Sequence, residues 1–414
     1  MERVSIVGAG IVGICTAVAL QQRGVAVRII DERDPGTGAS FGNAGLVSID
    51  SCIPIAMPGM LRNVPKWLFD TQGPLSVRPG YLPYASPWLL KWIRSGASEK
   101  HVSLLCRALR RLHKDALVHY RNLLGARGFN EVIRLSGQLH VWDTPRKSAG
   151  DLLADRLRAE QGVVARDLSV EEITELMPGM ARTVRRAQLY ENNGYVATPY
   201  QLVQRLFQQF IDGGGEFLQQ RVNGISPHSD GAGFRIITSC SDLRSSRVVI
   251  CAGAWSKRLL KGLGIDIPLE TERGYHVSFD SSALDLPMPV MHKEHAFGVT
   301  PMGESIRVAG FVEIAGLDAE PDMSREAALV AHAKRLFPAL DTSRKDRFWL
   351  GFRPSTPDSL PILGGLDNMP GLFLGFGHGH TGITGAPVSA EILANLITGT
   401  ANTIDVAPYA INRF

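Results

Sequence analysis

The sequence predicts an α/β fold organised around a parallel, doubly wound sheet, and three observations carry that prediction. Residues 3–7 form a short apolar run rich in β-branched side chains, Gly8-Ala9-Gly10-Ile11-Val12-Gly13 is a glycine-rich turn, and residues 25–30 form a second apolar run ending on Asp31. Short apolar runs of this kind suit buried strands. Between them, residues 11–22 contain the helix formers Ala17, Ala19 and Leu20, with Gly24 as the stop. Strand, turn, helix and strand in about thirty residues make a βαβ unit, whose crossover leaves its two strands parallel.

Beyond Asp31 the chain changes character. Residues 35–59 hold Gly36, Gly38, Ser40, Gly42, Gly45, Pro54 and Pro58, and a long loop inside a compact domain is usually functional. Residues 86–125 read as helical, 132–141 as an alternating strand and 199–211 as a helix. Short strands are expected at 217–218, 234–238, 248–251, 275–279, 296–300 and 306–309. A helix at 325–337 then leads into a glycine-rich region at 351–385.

Composition narrows the class. The 414 residues are 44% hydrophobic and 20% charged, a globular profile with room for two or three domains and a large core. Five cysteines, Cys15, Cys52, Cys106, Cys240 and Cys251, form no CxxC pair, which argues against a disulfide framework or zinc ribbon and fits a reducing compartment. A net charge of +4 is too small to imply a nucleic-acid partner. No run of about 18 apolar residues is present to span a bilayer as a helix. The apolar start of the chain is interrupted at Gly8, Gly10 and Gly13, so it reads as the opening of the fold of a cytoplasmic protein and not as a signal peptide.

The chemistry begins at the glycine turn. In GxGxxG the first glycine, Gly8, allows the tight turn, Gly10 lets the backbone approach a pyrophosphate, and Gly13 lets helix and strand pack closely. Backbone N–H groups near Ile11 and Val12, with the helix dipole, meet the phosphate charge. Asp31, eighteen residues past Gly13, would accept hydrogen bonds from a ribose 2′-hydroxyl and repel a 2′-phosphate, with Glu32 beside it. NAD and FAD share this motif, and three later segments favour the longer FAD. Residues 38–46 (Ser40, Asn43, Ala44, Gly45, Leu46) offer hydroxyl, amide and backbone donors. Residues 248–254 are a buried strand ending in small residues (Cys251, Ala252, Gly253). Residues 375–382 (Gly377, His378, Gly379, His380, Thr381, Gly382) precede a helix whose positive end faces something electron-rich.

Taken in this order, the four segments resemble the FAD-dependent amine and amino-acid oxidoreductases of the D-amino-acid oxidase and dehydrogenase family. The stretches Ala39-Ser40-Phe41-Gly42-Asn43-Ala44-Gly45 and Gly351-Phe352-Arg353-Pro354-Ser355-Thr356-Pro357-Asp358-Ser359-Leu360-Pro361, and the ending from Tyr409 to Phe414, are similar to bacterial D-amino-acid dehydrogenases. The resemblance implies a doubly wound, Rossmann-type FAD-binding domain (1–55, 198–262 and 345–414) interleaved with a mixed-sheet α+β substrate domain (56–197 and 263–344). It implies FAD-dependent oxidation of a D-amino acid to an imine and then a 2-oxo acid. A cyclic D-imino acid such as a hydroxyproline, a secondary amine of the sarcosine, glycine or proline type, and a flavoprotein subunit of a larger dehydrogenase stand as alternatives.

An amino-acid substrate brings a carboxylate, which a planar guanidinium holds best. Arg353 and Arg273 are the candidates, with Tyr275 as an added hydroxyl; in the family an arginine matching Arg353 lies beside the substrate. His378 and His380 read as flavin-edge residues, and their spacing in a glycine loop does not suggest a metal. No cysteine follows Cys251, so the FAD is expected to be non-covalent. Some relatives place a histidine where this chain has Ser48, and Ile49, Asp50, Ser51 and Cys52 are expected to line the pocket. Finally, Trp88 and Trp92 stand at i, i+4 ahead of Arg107, Arg110, Arg111, Lys114 and Arg121. This pattern suits either a helix packed on the substrate domain or peripheral contact with the inner membrane; in the second case a respiratory quinone would be the electron acceptor.

Overall fold

β1 (Val4–Val7), α1 (Ile11–Gln21) and β2 (Val27–Asp31) form the expected parallel unit, in the register Val4 to Val27 and Val7 to Ile30. The computed structural model describes residues 3–60, 73, 75–228, 231 and 233–414; residues 61–72 and 74, part of the expected substrate segment, lie outside the described residues. Gly8 takes φ +114, and a Cβ there would stand 2.3 Å from the Cys251 carbonyl oxygen. At Gly13 a Cβ would stand 2.0 Å from the Gly8 oxygen. Both positions therefore need glycine, for the close approach that the motif anticipates.

The first sheet has six strands in the order Glu216–Gln219, β2, β1, Arg247–Ile250, Met369–Phe376 and Ile362–Leu366. The first five run parallel and the last is an antiparallel edge. Helix α1 is buried on nearly every side, because it lies between this sheet and the Gly382–Thr398 helix. That enclosure explains why its sequence lacks an amphipathic stripe.

The second sheet is larger and mixed. Its main order is Lys345–Ser355, Glu270–Asp280, Ser305–Ile314, Phe297–Met302, Val290–His292, Gln138–Trp142, Arg186–Tyr190 and Arg166–Leu168. The Lys345–Ser355 strand is the edge of this sheet, so sheet membership returns to the parallel sheet only after Ser355. It pairs with Glu270–Asp280 over their whole length, setting Glu272 opposite Arg353 and Gly274 opposite Gly351. On the other side of Glu270–Asp280 the register to Ser305–Ile314 slips between Arg273 and Tyr275. The slip is a bulge in which Phe311 adopts φ +61, a strained value for a non-glycine residue.

Two elements differ from the sequence reading. The expected strand at 132–141 is broken at Gly137, φ +76, into Ile133–Arg134 and Gln138–Trp142, which belong to different sheets. The helical region at 86–125 is three helices, Leu82–Ser95, Glu99–His113 and Ala116–Val132. Trp88 and Trp92 are each 5% exposed and stack at 6.3 Å, and the Trp88 indole N–H donates to the Ser355 carbonyl at 3.1 Å. These indoles pack inward and present nothing to a bilayer. Among the described residues no helix is long and apolar enough to cross a membrane.

Several histidines are held as neutral rings by burial, His113, His276 and His378 among them. Burial lowers His113 to about 4, His378 to about 3 and His276 to about 2, with Arg307 adding to the shift at His276. Their folded values lie below the unfolded one, so the unfolded chain binds more protons as pH drops below about 6.5. Stability is therefore full above that pH and is lost on acidification. The unfolding temperature should fall steadily between pH 7 and pH 5, and His276→Gln should reduce the slope by up to about 1.4 kcal/mol per pH unit. A pH-independent midpoint across that interval would contradict the assignment.

Candidate active site

A cavity of about 1180 Å³ runs from the glycine turn to the mixed sheet. At its nucleotide end lie Gly8, Gly10, Ile11 and Val12. A Cβ on Gly10 would meet only the Ser40 hydroxyl, at 3.5 Å, so the turn is open toward the cavity. Ser40 accepts the Ile11 N–H at 3.0 Å, and no acidic residue occupies the first turn of α1. The positive helix end is thus left for a ligand's phosphate. Asp31 uses its two oxygens on the N–H groups of Ala9, 2.7 Å, and Arg33, 2.9 Å; it braces the turn. The neighbouring Glu32 is exposed at the cavity rim and pairs with Arg33, whose guanidinium covers the Trp255 ring.

The 38–46 loop is gripped by the mixed sheet. Arg307 donates to the carbonyls of Phe41, 2.8 Å, and Asn43, 2.6 Å, and a Cβ on Gly42 would collide with the Trp349 ring at 1.8 Å. Ser40, Asn43, Ala44 and Leu46 reach the cavity, as do Cys251, Ala252, Gly253, His378, Gly379, His380 and Gly382. Four expected contacts do not line it. Gly13 packs on Gly8, Gly45 is a turn packed on Met302 and Val196, and Gly377 sits under Thr356. Thr381 faces a smaller adjoining pocket and donates to the His378 carbonyl.

At the other end of the cavity the structure separates the candidate residues. Arg273 is fully buried on the far face of its strand, where it donates to the carbonyls of Ala319, 2.7 Å, and Glu320, 3.2 Å, and pairs with Glu313. Tyr275 donates to the same Glu313 at 2.6 Å. Neither lines the cavity, because side chains alternate along a strand and it is Glu272 and Gly274 that face inward. Ser48 is bonded to Gln138, Asp50 pairs with Arg110, and Cys52 is fully buried in a separate cluster, so 48–52 do not line the main cavity either.

Arg353 does face the cavity. Its guanidinium lies over Gly274, where a Cβ would stand 2.1 Å from Cζ. Among the described residues it makes one hydrogen bond, Nη1 to the Phe311 carbonyl at 2.9 Å, the carbonyl that the bulge turns toward it. Burial pulls its proton affinity down, and Glu272 opposes that pull. Burial alone would raise the Glu272 carboxyl, but His380 and Arg353 outweigh it and hold the group below the usual carboxylate range. His380 Nε2 lies 2.6 Å from Glu272 Oε2. His378, by contrast, faces Ser389 at 2.8 Å; that hydroxyl donates to the Gly385 carbonyl, so it accepts from His378 Nε2–H. Glu272 is the residue that the sequence reading overlooked. Its signal was the period of two along 270–280, which sets it on the face opposite Arg273 and Tyr275.

A phosphate-receiving turn and a half-buried cation facing one cavity between two sheets are the layout of an oxidoreductase that keeps a dinucleotide between two lobes. Comparison with known proteins makes this specific: the family model described as "DAO: FAD dependent oxidoreductase" matches residues 3–396, and the chain belongs to that family. FAD is its cofactor, and the open glycine turn with its uncompensated helix end fits the pyrophosphate. The chain is 34% identical to a D-amino-acid oxidase of Bradyrhizobium diazoefficiens, covering 100% of this chain and 99% of that protein. It is 29% identical to a D-amino acid dehydrogenase of Rhizobium rhizogenes, covering 100% of both. Among solved structures, glycine oxidase from Geobacillus kaustophilus superposes with a TM-score of 0.76 at 22% identity over 100% of both chains. L-proline dehydrogenase from P. horikoshii does so with 0.73 at 19% identity over 100% of this chain and 97% of that one.

Gly274→Ala should push the Arg353 guanidinium off its seat while leaving the nucleotide end intact. A simple monocarboxylate, titrated against the flavin spectrum of the holoenzyme, should bind at least about tenfold more weakly, the scale of one charge-assisted hydrogen bond. Unchanged affinity would show that Arg353 does not need this seat.

Proposed function

We propose that the chain oxidises a D-amino acid at the carbon bearing nitrogen, giving an imine that water hydrolyses to a 2-oxo acid and ammonia. The observation that carries this reading is the Arg353 guanidinium, half-buried, facing the cavity and holding only one backbone acceptor among the described residues. Its remaining N–H groups are available to the α-carboxylate of a substrate in the bidentate manner that suits a guanidinium. Glu272 faces Arg353 across the strand pair and holds His380 in place, so one anion sets the position of both. Bound FAD supplies the acceptor for a hydride from the substrate carbon; the protein's part is positioning and exclusion of water.

The D-amino-acid names of the relatives at 34% and 29% identity support this substrate class over others. A cyclic D-imino acid fits the same clamp. At the nucleotide end, Glu32 is the better ribose partner, since Asp31 is spent on backbone N–H groups. Cys251 lines the cavity, but burial pushes its thiol up to about 12. A thiol held protonated is a poor nucleophile, which supports non-covalent FAD. The second reading, a dehydrogenase that docks on the inner membrane and reduces a quinone, rests on the exposed Tyr84, Leu90, Arg107 and Arg111 of two neighbouring helices.

Anaerobic mixing of the holoenzyme with D-, L- and N-methyl amino acids tests the proposal. Flavin bleaching should occur with D-amino acids, with ammonia as a product. Arg353→Lys should retain FAD and lower kcat/KM by about 10- to 100-fold, since a lysine cannot form the paired bonds. Bleaching confined to N-methyl substrates, with release of a primary amine, would move the assignment to a secondary-amine oxidase.

A further inference from the structure

Apart from the residues used above, two imidazoles and a carboxylate converge where two strands of the mixed sheet end. Gln138–Trp142 and Val290–His292 run parallel with Val141 opposite His292, so Asp143 leaves the first strand beside the end of the second. The chain then turns back into Phe297–Met302 through Ala296, at φ +50, and this turn carries His295. Glu294 in the same turn accepts the N–H groups of Asp143, 2.7 Å, and Thr144, 3.3 Å, while the Lys293 N–H donates to the Val141 carbonyl at 3.0 Å. These bonds lock the two backbone segments together and bring their side chains to one point.

At that point His292 Nε2 stands 3.3 Å from Asp143 Oδ1, and His295 Nε2 stands 3.5 Å from Asp143 Oδ2. One nitrogen or oxygen from each of the three side chains lies within 4.8 Å of the others. Both measured contacts exceed the roughly 2.7–3.2 Å of an N–H···O hydrogen bond. They match the spacing of ligands around one ion, since atoms about 2.1 Å from a tetrahedral zinc stand about 3.4 Å apart. His292 is buried, and its Nδ1 has no partner among the described residues. The long contact to Asp143 is therefore all the hydrogen bonding this ring has among them, a weak return for burying a polar group. Coordination gives the convergence a stronger reason.

The donor set selects the metal. Two imidazoles with one carboxylate suit zinc and its neighbours, whereas calcium and magnesium take oxygen ligands. One charged neighbour competes with a metal: Arg335, on the Ser324–Leu336 helix, donates to Asp143 Oδ2 at 2.8 Å. Its side chain is 57% exposed and long enough to yield to solvent, while Asp143 is 19% exposed and held by its turn. We propose that Asp143, His292 and His295 bind one zinc-class divalent cation, with water completing the shell. The ion would clamp Gln138–Trp142 to the hairpin of Val290–His292 and Phe297–Met302. The site uses neither Arg353 nor the glycine turn, so it stands apart from the reading of the substrate.

The test is equilibrium dialysis of chelator-treated holoenzyme against Zn²⁺, with metal content and unfolding temperature as readouts and no turnover required. The wild type should retain one zinc per chain and unfold at a higher temperature when loaded, because the ion binds the folded state. Asp143→Asn and His295→Gln should each weaken binding by about tenfold or more, while His101→Gln, at an exposed histidine elsewhere, should leave it unchanged. Arg335→Met removes the competitor and should tighten binding by about two- to fivefold, the scale of an exposed ion pair. A wild type that retains no zinc overturns the proposal, as does retention that Asp143→Asn and His295→Gln leave unmoved, which would mark adventitious binding. Should those two variants lose their flavin or fail to fold, Arg335→Met decides, and an affinity it leaves unchanged overturns the site. Failure of D-amino acids to bleach the flavin would sink the reading of Arg353 and leave this one standing.

Discussion

The end of the cavity away from the glycine turn is organised by the half-buried guanidinium of Arg353. Even partial burial of such a charge is costly unless an anion and hydrogen-bond acceptors meet it. The pairing of Glu270–Asp280 with Lys345–Ser355 answers that demand by setting Glu272 directly opposite Arg353. Gly274 leaves the space in which the guanidinium lies, and the strained bulge at Phe311 turns a carbonyl onto it. Glu272 then reaches His380, so the loop before the Gly382–Thr398 helix is tied to the same point. Strain at a non-glycine residue is tolerated where the surroundings over-determine it, and here the bulge aims an acceptor at the Arg353 guanidinium.

The same two strands reach the cofactor end through the 38–46 loop. Trp349, two residues before Gly351, covers Gly42, and His276 stacks on Trp349 at 5.0 Å. Arg307, on the next strand, holds two carbonyls of that loop. The cavity-facing side of the mixed sheet therefore lines the cavity with Glu272 and Arg353 and secures the 38–46 loop with Trp349, His276 and Arg307. The far face does neither; there Arg273 and Tyr275 close on the buried Glu313, which Arg78 also holds at 2.6 Å. That knot is structural, and it uses the residue types that suggested substrate binding.

The nucleotide end was legible because its physics is local. Gly13 is needed by the Gly8 carbonyl within one strand–turn–helix unit, Gly8 by its left-handed backbone, and Gly10 leaves the turn open; a unit of thirty residues shows its pattern directly in the order of its amino acids. Arg353 was legible for a related reason, since it stands in a distinctive stretch. Glu272 was hidden because an acid in an apolar strand reveals its role only when the facing strand is known. The break at Gly137 was hidden too, since Ile133 and Gln138 continue an alternating pattern yet pair with different partners.

What the amino-acid order determined by itself was the existence of a parallel βαβ unit, its phosphate-receiving turn and the types of charge available to the site. Short-range backbone geometry and side-chain size set those features, and both are written within a few tens of residues. Tertiary structure alone decided which charges share a space. Strand register turned Glu272 and not Arg273 toward the cavity, burial turned Trp88 and Trp92 inward, and the pairing of two distant strands set Glu272 opposite Arg353. A charge acts through whatever lies within a few ångströms of it, and in this chain those neighbours come from residues far apart in sequence.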